Sequence, residues 1–249
     1  CYSYMQHKQM DDSMAVPVLE KILEVEPDNI AARYSLLMVA VRKNDYEEAV
    51  RICEPAIQYN PEELAFYYYL GVSYFQTDRN PDALSVLQKG VLQVNPQSDK
   101  KLVSDFYTFI GDLHHSMDNQ PACYEAYDSA LVYNPDNIGV LNNYAYFLSL
   151  ERCDLDRAEE MSYRTVKAEP KNDTYLDTYA WILFEKGRYT EARIYIDEAM
   201  KNGGAESATI VEHSGDIYFM LGEEDKALDF WKQAAGMEHE SKTLEQKIK

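Results

Sequence analysis

Basic residues are few in this 249-residue chain. Lys and Arg total 24 against 43 Asp and Glu, a formal net charge of −19. A surface that acidic repels phosphate backbones and anionic lipid, which excludes nucleic acid as a general partner and disfavours membrane surfaces. No apolar run approaches the roughly 20 residues that span a bilayer, so no membrane insertion is expected. Cysteine is scarce. Cys1, Cys53, Cys123 and Cys153 form no C-x-x-C pair and no compact disulfide framework. Cys53 and Cys123 read as small buried apolar side chains. Catalytic signatures are missing too: HExxH, GxSxG, GxxxxGK[ST] and GxGxxG do not occur. No cofactor is called for, and the chain is not expected to be an enzyme.

What the chain does have is a 46% apolar content, enough for a packed core, and 21 tyrosines. It also has a period. Pro27, Pro61, Pro96, Pro135 and Pro170 fall 34, 35, 39 and 35 residues apart, each closing an apolar–polar run such as LEVEP, IQYNP or LVYNP. Proline disfavours helix at the residue before it, so each marks a helix stop. About twelve residues upstream of each stands a small residue: Ala15, Ala49, Ala83, Cys123 and Ala158, with Ala192 and Ala227 continuing the beat. Twelve residues earlier again come Leu37, Gly71, Gly111, Ala180 and Gly215, with Ala145 one place further back. Small side chains on both members let two helices approach closely. Turn signals (KNDY, DRNP, MDNQ, KGRY, LGEE) separate them, too short for anything but an antiparallel neighbour.

These residues resemble the tetratricopeptide repeat, with its W-x2-L-G-x2-Y, A-x3-F, A and P positions; TYLDTYAWILFEKGRYTEARIYIDEAM at 174–200 is the best copy. The resemblance implies an all-α, right-handed superhelical solenoid of antiparallel helix pairs. Full repeats are placed at 30–63, 64–103, 104–137, 138–172, 173–207 and 208–239, after a partial repeat at 1–29 and before a charged cap at 240–249. The extra residues QSDKKLVS precede the third copy as a longer turn or helix extension, and the fourth has one added residue. Because Cys1 falls inside a first helix, the chain is expected to be a fragment of a longer array. NNYAYFLSL and TYLDTYAWILF resemble a bacterial subset of the family, which implies a bacterial source and a cell-envelope or periplasmic setting, with the cytoplasm as alternative.

The resemblance also implies that the first helix of each pair lines a concave groove. The residues then facing it are Tyr34, Met38 and Arg42; Tyr68, Val72 and Phe75; Thr108, Asp112 and His115; Asn142 and Tyr146; Asp177, Trp181 and Phe184; Glu212, Asp216 and Phe219. Aromatics run throughout, and carboxylates gather towards the C-terminal end. The family's clamp for acidic peptide C-termini needs Lys, Arg or Asn where this chain has Tyr34, Met38, Tyr68, Val72, Thr108 and Asp112, so that specificity is rejected. The expected ligand is a protein or peptide segment, apolar or basic. Homo-oligomerisation, at an array end or through the groove, is an alternative. A second is an enzyme or metal-dependent protein, with chemistry at Asp112 and His115 or in an upstream domain. Against it, His115 reads as one more groove residue and His114 as filling a buried slot. Glu212 and Asp216 read as an acidic patch, solvated or ligand-pairing, rather than an acid–base pair, with His213 on another face. Trp231, four residues after Ala227, is expected in the core, and Trp181 on the groove.

Overall fold

In a computed structural model, residues 12–237 and 244–248 are described. Residues 1–11 of the partial repeat, Cys1 among them, lie outside them, as does part of the 240–249 tail. The chain divides after Pro135 into two compact units. The first holds α1 (Asp12–Val25), then the pairs α2 (Ile30–Arg42) with α3 (Tyr46–Tyr59), α4 (Leu64–Gln76) with α5 (Asn80–Val91), and α6 (Lys100–Ser116) with α7 (Gln120–Tyr133). The second holds α8 (Ile138–Leu150) with α9 (Leu155–Ala168), α10 (Asp173–Glu185) with α11 (Tyr189–Lys201), and α12 (Ala208–Met220) with α13 (Glu224–Ala235), followed by the short α14 (Leu244–Lys247). No strand occurs among the described residues. The fold is an all-α tandem array of helix pairs.

Local chemistry sets the helix ends. Side-chain oxygens of Asn29, Asn137, Asn172 and Ser207 accept from backbone N–H groups in the first turn of α2, α8, α10 and α12. Pro27, Pro61, Pro135 and Pro170 stand two residues past the ends of α1, α3, α7 and α9, where their missing N–H does no harm. Each first helix stops on a left-handed residue: Asn44, Asp78, Asp118, Gly187 or Gly222. The next residue folds its N–H back five places, as in Asp45 to Ala40, Arg79 to Tyr74 and Glu223 to Tyr218, closing a Schellman turn. The added residue of the fourth pair is absorbed here, by two left-handed residues, Arg152 and Asp154, instead of one. The extra residues before the third pair divide between a turn and the start of α6 at Lys100.

Within each pair, size is traded across a fixed spacing. Gly71, Gly111 and Gly215 lie against Leu87, Tyr127 and Trp231, sixteen residues on. A Cβ on these glycines would come within 2.8, 2.5 and 2.4 Å of the facing side chain. At the equivalent places the trade is reversed in Leu37 and Cys53, and evened in Ala180 and Ile196. Leu37, Cys53, Ala180 and Ile196 are all fully buried. Close packing tolerates either arrangement so long as the summed volume is kept. That is why Leu37 can stand where the other pairs have Gly or Ala.

Candidate functional site

The first helices carry the candidate residues, and in each unit they lie side by side. Counting from 30, 64, 104, 173 and 208, position five of one first helix meets position six of the next. Tyr34 meets Tyr69 edge-on at 6.2 Å between ring centroids, and Tyr68 meets Phe109 at 6.3 Å. Asp177 Oδ1 accepts from His213 Nδ1 at 2.9 Å. Lys247 donates to Glu212 at 2.7 Å. The four contacts share one geometry and differ only in chemistry, aromatic in the first unit and ionic in the second.

In the first unit the aromatics form a connected run. Tyr68 also touches Tyr69 at 5.8 Å and Phe106 at 5.6 Å, and Phe109 takes Phe75 edge-on at 5.5 Å. Edge-to-face rings at such distances attract through their quadrupoles. Phe75 keeps 38% of its surface open, while Tyr34, Met38 and Tyr68 are half-buried and Arg42 is exposed at the end of α2. Burial, with Asp105 and Asp112 nearby, raises the Tyr68 hydroxyl above its ordinary pKa. Burial and the Tyr34 hydroxyl push Tyr69 up to about 12. Both stay protonated donors. Asp112 and His115 each meet another side chain. Asp112 accepts a short hydrogen bond from the buried Tyr127 hydroxyl, and His115 Nδ1 lies 2.9 Å from Gln120 Oε1. Among the described residues no three His, Cys, Asp or Glu side chains cluster in a way that could hold a metal.

In the second unit the acidic patch is neither solvated nor open. Asp177 and Glu212 are buried, and each is met by a cation or potential cation of this chain. Lys247 Nζ sits 2.7 Å from both Glu212 Oε1 and Asp216 Oδ2, and the other Asp216 oxygen accepts from Trp231 Nε1 at 3.0 Å. An isolated buried carboxylate would be costly, which is why partners converge here. His213, assigned above to another face, is buried against Asp177 because position six points at the preceding helix. Burial opposes its charge, yet Asp177, then Asp216 and Glu212, hold its pKa above the ordinary histidine value. Tyr146 is raised by burial and by Asp177 and Glu212. Trp181 stacks on both His213, at 4.0 Å and 16°, and Phe184, at 4.7 Å and 15°. Its buried Nε1 has no partner, and neither has the buried Oδ1 of Asn142. Phe219 stays 49% exposed beside Trp231, itself buried as its place after Ala227 requires. Taken unit by unit, the first-helix surfaces owe much to residues not placed there from sequence: Tyr69 and Phe109 in the first unit, His213 and Lys247 in the second. Their signal was the fixed position-five to position-six pairing.

Residues 40–99 match the Tetratricopeptide repeat family model. No curated protein matches the chain in sequence. Among solved structures, the Cut9–Hcn1 hetero-tetramer of the APC/C superposes with a TM-score of 0.71 at 11% identity, over 94% of this chain and 45% of that one. The chain thus spans less than half the length of that neighbour. A tetratricopeptide repeat protein from Parabacteroides merdae superposes at 0.60 and 16% identity, over 94% and 89% of the two chains. YrrB, described as a TPR protein with an unusual peptide-binding site, superposes at 0.62 and 13% identity, over 78% and 95%. The chain resembles the tetratricopeptide repeat family in its sequence motif and has that family's all-α repeat fold.

Proposed function

We propose that the chain is a non-catalytic scaffold holding an apolar or basic segment of another protein on the face made by the first helices of its first unit. The carrying observation is the run Tyr34–Tyr69–Tyr68–Phe109–Phe75 of touching rings, open at Phe75 and flanked by Asp105. Rings supply broad contact area at little conformational cost, and cation–π contact suits Lys and Arg better than acidic side chains. The net charge of −19 draws basic segments from a distance and repels acidic ones. YrrB, whose described site binds peptide, has the same fold. The test is titration calorimetry against a peptide series graded from acidic to basic, each with one aromatic or Leu anchor. Basic members should bind, more weakly as salt screens the charges. Phe75→Ala should weaken binding about five- to thirty-fold, as loss of about 1–2 kcal/mol at an aromatic contact does. A preference for acidic members, or unchanged affinity in Phe75→Ala, would defeat the reading.

A further inference from the structure

The second unit carries a seat with an occupant already in it. Lys247 is the last residue of α14, and its ammonium lies between Glu212 and Asp216 of α12, 2.7 Å from each. Three residues earlier Leu244 is buried among Val211, Tyr218, Ala227, Trp231 and Ala234. An apolar anchor and a lysine, at i and i+3, face one way on a helix. Lys247 also stands 35 residues beyond Glu212, much as His213 stands 36 beyond Asp177. The segment therefore takes the place that the first helix of a further repeat would take, and supplies the same kind of rung.

Its hold is open to solvent. Among the described residues beyond Met237 the helix is Leu244–Lys247, and Lys247 keeps a quarter of its side-chain surface open. By contrast, the carboxylates beneath are rigidly placed: Glu212 and Asp216 share one face of α12, and Trp231 fixes the second oxygen of Asp216. A prearranged pair of carboxylates beside an apolar notch recognises a lysine from any chain that offers the same spacing.

We infer that Glu212, Asp216 and the notch around Trp231 form a binding site for a helical Leu-x-x-Lys segment, which the chain's own residues 244–248 fill in exchange with a partner's. This rests on the reading that first-helix surfaces of the chain bind other polypeptides, and it names the chemistry recognised by the one in the second unit. The tethered segment competes at an effective concentration on the order of millimolar, so a free segment of equal intrinsic affinity binds only in proportion to the vacancy.

The probe is a fluorescein-labelled peptide of residues 238–249, EHESKTLEQKIK, followed by anisotropy at low salt. The full chain carrying Leu244→Ala and Lys247→Ala should bind it about ten-fold or more tightly than the wild-type chain, which keeps its tether. Adding Glu212→Gln, or placing Ala for Lys in the peptide, should remove the gain. Equal affinity for wild-type and vacated chains overturns the proposal, as does equal binding of a scrambled peptide. Hydrogen exchange on the wild-type chain covers the case in which the vacated variant fails to fold: excess unlabelled peptide should expose the amides of residues 244–248, and unchanged protection overturns the proposal. Phe75→Ala with the graded peptide series reports on the aromatic run, and Glu212→Gln with this peptide reports on the seat, so the two readings fail separately.

Discussion

Consider replacing Gly215 by alanine. The new methyl would lie 2.4 Å from both Cδ1 and Nε1 of Trp231, more than an ångström inside carbon contact distance. The indole has little room to retreat. It is 6% exposed, and its Nε1 is bonded to Asp216 at 3.0 Å. Overpacking of this kind costs about 1–3 kcal/mol, and disturbing a hydrogen bond to a carboxylate adds about 1 kcal/mol. Alanine returns about 1 kcal/mol through helix propensity. The net expectation is a loss of about 1–3 kcal/mol. Trp231→Ile alone leaves a hole and costs about 2–4 kcal/mol. Combined, the two changes rebuild the Ala180–Ile196 arrangement of the preceding pair, and the methyl then fills space instead of colliding. The double variant should therefore be more stable than the summed losses by about 1–2 kcal/mol. Urea unfolding followed by tryptophan emission measures this directly, since Trp181 remains as a reporter and both tryptophans lie in the second unit. Simple additivity, within about 0.5 kcal/mol, would refute the idea that volume is exchanged across this spacing.

Other expectations follow from the same structure. Trp181→Ala should cost about 1–3 kcal/mol, less than the roughly 3–5 expected of Trp231→Ala, because Trp181 is only partly enclosed; equal losses by urea denaturation would contradict its placement. The raised pKa of His213 means that the native state holds its proton more firmly than the unfolded chain. Its stabilising contribution is then complete below the ordinary histidine pKa and fades as pH climbs through the raised one. The urea midpoint should accordingly fall between pH 6 and pH 8.5, and His213→Gln should flatten that slope; a slope unchanged in the variant would count against the pair. Burial pushes the Cys53 thiol up to about 12 and encloses it, so a thiol reagent at pH 8 should label the partly exposed Cys153 well before Cys53 or Cys123, as read by mapped mass spectrometry. Labelling of Cys53 at the same rate would show that the α3 core opens readily.

The helix pairs were legible because their signals are local. A proline needs no distant partner to stop α3 or α7, and Asn44, Asp78 and Gly187 announce a left-handed turn by residue type alone. The spacing of small residues likewise predicts close helix pairs, and Gly111 and Gly215 are found pressed against Tyr127 and Trp231. What lay beyond reach was the partner of each carboxylate. Asp177 and Glu212 read as members of an acidic surface because charge alone does not say what stands 35 residues away. His213 and Lys247 are close to them only through the stacking of successive first helices. Asp112 and His115 read as neighbours on one helix, and spacing alone does not give their partners: one reaches to Tyr127, the other to Gln120.

The sixteen-residue size trade has a consequence for how such chains can be recombined. Both halves of each lock, Gly111 with Tyr127 or Leu37 with Cys53, reside within one hairpin. Shuffling whole hairpins at the proline junctions moves key and keyhole together, whereas a crossover at the tight turn inside a hairpin deals a tyrosine to a leucine or a cysteine to a glycine. Chimeras spliced at Pro61 or Pro170 should thus fold far more often than those spliced at Asn44 or Gly187, and gene duplication in such arrays has a built-in unit of inheritance.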